Sequence, residues 1–217
     1  MNLGELRTAT QTRGYATDTA TAQTEMINSV YRRLCGEMHW RWLEQVDTSL
    51  STAAGQANYS LSSITDLVHI NTVRLQTATE YYDLEWADAN TIMPALHIDR
   101  SQGIPSVWTY VDQSIQLYPR PAGVYTIVIN YIYDPPDLSA DSDTPVFPAT
   151  YHDILVYGCV MDLAMRERDW SAFNAAQAQY EGRKGDMKRQ LGIIQRQSPT
   201  TVISSGVWDK YGVPNYR

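Results

Sequence analysis

Four histidines and two cysteines are the residues of this chain with the chemistry of a proton carrier, a nucleophile or a soft metal ligand. His39, His69, His97 and His152 stand on separate stretches. Cys35 and His39 are spaced to share one helical face, but two ligands do not make a structural zinc site, which needs four. Tyr151-His152-Asp153 holds the residue types of an acid–base relay, yet it opens a predicted helix, where an aspartate is expected for the dipole alone. Asp134, Asp137, Asp141 and Asp143 offer oxygens to calcium. Their run lacks the glycine and closing glutamate of a calcium-binding helix–loop–helix, so it reads as a solvated acidic loop. No phosphate-binding GxxxxGK[ST] loop occurs, nor GxGxxG, HExxH, GxSxG or paired CxxC. The residue types are present without a constellation. The expectation is a protein that is not an enzyme, with no cofactor and no essential metal.

The 217 residues allow one large domain, or a core with an insertion, and 43% apolar content supports a core. The net charge of −7 argues against a general nucleic-acid binder. It is unevenly spread: residues 1–180 hold 21 acidic and 10 basic side chains, residues 181–217 hold 3 and 7. Such a split gives the C-terminal end a different surface to seek from the acidic body. Residues 1–25 have no apolar stretch of the secretory kind. No run approaches the roughly 20 apolar residues that span a bilayer, so no membrane partner is expected. Cys35 and Cys159 fall in predicted helices and read as buried thiols of a reducing compartment.

The elements that position these residues follow from two changes of hydrophobic period. Asn2 to Arg13 reads as a short helix, with Leu3, Leu6 and Ala9 inward and Gly14 as its stop. Thr19 to Trp40 carries the stripe Ile27, Val30, Tyr31, Leu34 and Met38. Arg32-Arg33 lies off that stripe as a solvated pair, with a phosphate contact as the alternative. At Trp40 the pattern becomes strand-like. Trp40-Arg41-Trp42 is expected to pack at the joint between helices and sheet, with base stacking as the alternative. Arg41–Ser49, Asn58–Leu61 and Val68–Leu75 read as strands. In the last, Val68, Ile70, Thr72 and Arg74 face one way and His69, Asn71, Val73 and Leu75 the other. Residues 80–84 read as a short edge strand, and Trp86–Leu96 as a helix interrupted at Pro94. Val107–Val111 and Ser114–Tyr118 form a hairpin about Asp112-Gln113. Pro119 to Gly123 is a turn. Tyr125–Tyr133 is a strand of β-branched and aromatic residues ended by Pro135-Pro136.

Helical spacing returns at Ala149. Thr150 is the expected N-cap and Asp153 favours the positive end of the dipole. Ile154, Tyr157, Gly158, Met161 and Met165 form the stripe, with Gly158 marking close packing against another element. The last helix follows Asp169-Trp170. Phe173, Ala176, Tyr180, Met187, Leu191 and Ile194 make a nearly heptad seam, and Arg183, Lys184, Lys188 and Arg189 line the other face. Gly182 and Gly185 weaken this helix by about 1 kcal/mol each against Ala and permit a bend or a close helix contact. The expected fold class is α+β. N- and C-terminal helices (1–40 and 149–195) form a helical bundle with an inserted antiparallel β module (41–148), and residues 196–217 are an extended C-terminal arm. Residues 44–148 hold 13 acidic and 3 basic side chains. The arm carries Val202, Ile203, Val207, Trp208, Tyr211, Val213 and Tyr216 without a helical stripe. Solvated tails are poor in such residues, and Tyr and Trp anchor interfaces. It therefore reads as a segment that docks on another protein, with docking on the chain's own body as the alternative.

The order of these pieces resembles a known family. A helical region and a β insertion precede SIQLYPRPAG and YTIVINYIYDPPDLSADSDTPVFPATYHDILVYGCVMDLA. AAQAQYEGRKGDMKRQL and an irregular tail follow. This looks like the head-to-tail adaptor (connector) proteins of tailed bacteriophages, including the tail tubular protein A type of T7-like phages. The likeness spans nearly the whole chain and is most specific over residues 113–181. It implies a homo-oligomeric ring, commonly dodecameric, beneath the capsid portal. Helices would pack between neighbouring subunits around a channel through which DNA passes without specific binding. The β module would face outward or toward the next tail component. The arm would embrace the portal protein, making Val202, Ile203, Val207, Trp208, Tyr211, Val213 and Tyr216 its contacts. Subunit contacts are then expected at Tyr180, Arg183, Lys184, Met187, Lys188 and Leu191. The implied partners are the portal and the tail or nozzle proteins; the implied place is the neck of the virion, after assembly in the host cytoplasm. An acidic body fits a channel that lets DNA slide. The alternatives are another ring of the neck, a stopper or tail terminator, and a glycan-binding β module suggested by the Trp and Tyr content.

Overall fold

The computed structural model describes residues 1–13 and 19–192. Its helices are α1 (Leu3–Gln11), α2 (Ala20–Gly36), α3 (Ala89–Ile98), α4 (Asp153–Glu167) and α5 (Trp170–Leu191). The chain is mixed α+β and divides into two compact units. One comprises Met1–Leu43 with Asp134–Gln195; the described part of the other is Glu44–Tyr133.

In the helical unit α4 packs against α1, α2 and α5. Its buried residues are Ile154, Leu155, Val156, Gly158, Cys159, Val160, Leu163 and Ala164, which lie all round the helix. The expected single stripe is therefore corrected: Met165 is 52% exposed, and Leu155, Cys159 and Leu163 do the packing in its place. Gly158 does mark a close approach. A Cβ there would stand 2.3 Å from Val30 Cγ1 and 3.4 Å from the Tyr180 ring, so α2 and α5 both press on it. Thr150 does not cap this helix. It lies in a 3-10 turn over Ala149–Tyr151, and α4 starts from His152 with no side-chain cap. The short helix fits the reading better. Asn2 and Glu5 form a reciprocal capping box at the start of α1, and Thr10 is buried with Leu3 and Leu6 because its hydroxyl donates 2.9 Å to the Leu6 carbonyl. α2 ends at Gly36, before the expected Trp40.

Residues 134–148, read in sequence as part of the β module, lie against the helices instead. The amide groups at the start of a helix lack partners of their own. Here Leu3 N–H donates 2.8 Å to the Asp143 carbonyl and Gly4 N–H 3.1 Å to that of Asp141. The buried Asn28 amide pairs with the Leu138 backbone in both directions, at 2.9 and 3.0 Å. Phe147 is buried under Trp42, Tyr31 and His152.

The strands of the second unit are β1 (Glu44–Ser51), β2 (Asn58–Ser60), β3 (Leu67–Gln76), β4 (Tyr81–Asp83), β5 (Glu85–Trp86), β6 (Gln102–Gly103), β7 (Val107–Val111), β8 (Ser114–Tyr118), β9 (Arg120–Pro121) and β10 (Thr126–Tyr133). They form sheets of order β1-β10-β3-β4 and β2-β8-β7-β5, with a small β6-β9 ribbon. One core gathers Val73, Leu75, Ile127 and Ile129 of the first sheet with Tyr59, Trp108, Ile115 and Leu117 of the second. Alternation along β7 and β8 puts Trp108 and Leu117 into this core, and Val107 and Tyr118 onto the other face against α3. The hairpin turns at Asp112-Gln113, both at positive φ (48° and 53°), the twist a two-residue turn demands.

Three strand readings are corrected. Trp86 belongs to β5, which pairs in parallel with β7, and α3 begins three residues later behind the N-cap Asp88 and runs through Pro94. Residues 41–43 are a 3-10 turn, so β1 starts at Glu44. The two faces of β3 exchange midway. Ile70 pairs with Tyr131 and Thr72 with Asn130, which leaves Asn71 as an extra residue and brings Ile70 to the same buried core as Val73 and Leu75. The β10–β3 pairing shifts again between Ile132 and Tyr133, and a third shift lies in β1 between Asp47 and Leu50.

The Gly158 crossing can be tested by a double-mutant cycle. Gly158→Ala should cost about 1–3 kcal/mol by overpacking. Combining it with Val30→Ala should recover about 1 kcal/mol relative to the sum of the single changes. Urea denaturation of the four proteins measures this; strict additivity contradicts the contact.

Candidate functional site

The Tyr151-His152-Asp153 triplet is engaged in structure, while His69 and His97 are exposed on the other unit. His152 is buried, with Nε2 2.8 Å from the Phe147 carbonyl and Nδ1 2.7 Å from that of Met1. Asp153 accepts from Arg183 Nε and Nη2 at 2.9 and 2.8 Å, and Tyr151 donates its hydroxyl 2.5 Å to Gln190 Oε1. The triplet thus points three ways. The acidic loop is closed on itself and on neighbouring arginines. Asp143 Oδ2 accepts from the Ser139 amide and hydroxyl and the Ala140 amide, bonds that hold its carboxyl below the usual range. Asp137 pairs with Arg32 and Asp141 with Arg7. Arg33 pairs with Asp162 at 3.2 Å, so Arg32 and Arg33 both serve internal ion pairs. Trp40 is fully buried, donates its indole N–H to the Leu34 carbonyl at 2.7 Å and stacks on Trp42, which closes it to a base. Among the described residues no group of three or more His, Cys, Asp or Glu side chains gathers as a metal set, and no helix is long and apolar enough to cross a membrane.

The candidate contact helix is α5. Its buried residues are Ala176, Tyr180, Lys184 and Met187. Lys184 was read in sequence as lying on the solvated face with Arg183; it sits instead on the inner stripe at 8% exposure. Its ammonium lies 2.7 Å from Glu181 and 3.1 Å from Glu37 of α2, and 5.1 Å from the Tyr180 ring centre. Burial alone would lower the Lys184 pKa; hydrogen bonds and charge from Glu181 and Glu37 outweigh it and raise it. Burial, seconded by Glu37, raises the Tyr180 phenol. Of the six expected subunit-contact residues, Tyr180, Lys184 and Met187 are thus turned into the chain's own core, while Arg183, Lys188 and Leu191 remain half-buried. The signal for Lys184 was the seven-residue gap in the seam between Tyr180 and Met187. A helix passes one face twice in that span, so a residue at 183 or 184 had to turn inward. Gly182 and Gly185 meet nothing of the described chain within 4 Å at an added Cβ, and the helix runs through both unbroken. At the turn from α4, Met165 and Trp170 are exposed (52% and 60%). Ile194 and the arm residues Val202, Ile203, Val207, Trp208, Tyr211, Val213 and Tyr216 lie outside the described residues.

No catalytic or ligand constellation forms among these described groups. The model of the SU10 adaptor protein family matches residues 1–204. The chain belongs to that family. A comparison with curated proteins finds no match. The adaptor family makes this a bacteriophage protein of structural adaptor type, for which portal and tail proteins are the general class of partner. The match does not distinguish the tail tubular protein A type within phage adaptors.

Both cysteines of the adaptor are buried, and burial pushes each thiol up to about 12, with Asp134 adding to Cys35 and Asp162 to Cys159. The thiolate is the reactive form. At pH 8 the native protein should therefore leave both thiols unmodified by iodoacetamide over an hour, and denaturation should release both. Mass spectrometry of intact protein reads the adducts; fast native labelling would contradict the burial.

Proposed function

We propose that this adaptor forms a dodecameric ring that joins the portal to the tail in the virion neck and surrounds the DNA exit channel. The observation that carries the proposal is the family match over residues 1–204. The charge balance supports it: 21 acidic against 10 basic side chains over residues 1–180 give a body that repels rather than grips DNA. In this reading the role is mechanical, without a catalytic step, a cofactor or a metal. The helical unit supplies the ring contacts, and on α5 these fall to the half-buried Arg183, Lys188 and Leu191. The segment 199–217 is the arm that binds the portal through Val202, Ile203, Val207, Trp208, Tyr211, Val213 and Tyr216. Aromatic anchors at interfaces commonly cost about 2 kcal/mol or more when truncated, and repetition around a ring multiplies the loss through avidity.

Deletion of residues 199–217 should leave circular dichroism and the melting temperature unchanged and abolish cosedimentation with portal-containing heads. Normal attachment of the truncated protein would sink the arm assignment. Unfolding would instead assign the segment to the chain's own core. Negative-stain images of the full chain with and without its portal test the ring itself.

A further inference from the structure

α4 and α5 are held in different ways. α4 buries eight residues. α5, though 22 residues long, buries four, and one of those is a lysine. Ala176, Tyr180 and Met187 are its buried apolar contribution. The other ties are polar and gather in its second half. Arg183 reaches Asp153 at 2.8 Å, Lys184 reaches Glu37 at 3.1 Å, and Gln190 accepts from Tyr151 at 2.5 Å. The side chains of Asp153, Glu37 and Arg183 keep 25%, 29% and 40% of their surface in solvent and that of Lys184 10%, so salt reaches the Arg183 pair from both sides and the Lys184 pair through Glu37. Gly182 and Gly185 lie in the same half and lower its helical propensity. The joint to α4 is two residues long, with Arg168 at φ 60°, ψ 28°.

We propose that α5 is an electrostatically latched strap. It releases from α4 as one unit, pivoting at Arg168, while α1, α2 and α4 stay folded, and ionic strength sets how often it opens. α5 lies along α4 through Ala176, beside Val160 and Leu163, and Tyr180, at Gly158; only three apolar side chains on it are buried, so the polar ties of its second half weigh heavily in its opening. The strap is a property of the single subunit and does not depend on the arm; because Arg183 is also a proposed ring contact, the exchange is read on protein that sedimentation shows to be monomeric.

Hydrogen exchange of the full chain, read by mass spectrometry, tests it. Peptides within 170–191 should exchange through an opening at least tenfold more frequent than that of peptides within 153–167. Raising NaCl from about 0.05 to about 0.5 M should increase the α5 opening roughly threefold while leaving α4 unchanged. Lys184→Met keeps the chain length over Tyr180 and removes the tie to Glu37; it should flatten the salt response. Arg183→Gln should do the same at Asp153. Equal exchange of α4 and α5 at both salts overturns the strap in the unaltered chain, whatever the variants do. A salt response that both variants retain in full overturns the latch.

Discussion

Burying one helix on nearly every face is the constraint on which the helical unit depends. α4 has little surface on which to leave polar groups unpaired, and an unpartnered buried group costs about 1–3 kcal/mol. Its polar residues turn to neighbours: Asp153 to Arg183 through Oδ2, Asp162 to Arg33, and the N-cap His152 to two backbone carbonyls, while the buried Asp153 Oδ1 is left without a partner. A helix enclosed in this way also needs room for its crossings, which Gly158 supplies under Val30. α1 and α2 keep the outer face that α4 largely lacks.

That asymmetry explains what the sequence showed and what it hid. α1 and α2 each bury one stripe, and their spacing was readable down to Leu3, Leu6, Ile27, Val30, Tyr31 and Leu34. α4 has only a narrow outer face, along Tyr157, Met161 and Met165, and those residues are as apolar as the buried Leu155 and Cys159, so the sequence does not tell one side from the other. Lys184 failed for another reason. A lysine is assigned to solvent by default, and its inward turn depends on Glu37, distant in sequence and supplied by another helix.

The β unit shows the same division between local and distant causes. The hairpin at Asp112-Gln113 and the alternation of β7 and β8 are local, and both were legible. The parallel pairs β5-β7 and β6-β9 join segments far apart in sequence, and no local pattern announces them. The extra residue at Asn71 is equally silent, because a strict two-residue alternation describes β3 well until its partner is known. The loop 134–148 looked like a module boundary at its prolines, but its backbone carbonyls and the Leu138 amide were needed by α1 and by Asn28. Chain punctuation and unit boundary are different things.

The register shift in β1 has a consequence for what that sheet edge can accept. β1 is the edge of its sheet, and an open edge is a template for any other strand. Between Asp47 and Leu50 that edge departs from a regular ladder, and Asp47 turns its carboxylate back onto the Ser49 amide at 3.0 Å. A second molecule arriving edge-on finds its hydrogen-bond partners out of step after a few residues, beside a negative charge. The β1 edge is thereby a poor template for strand addition, the route by which exposed sheet edges aggregate.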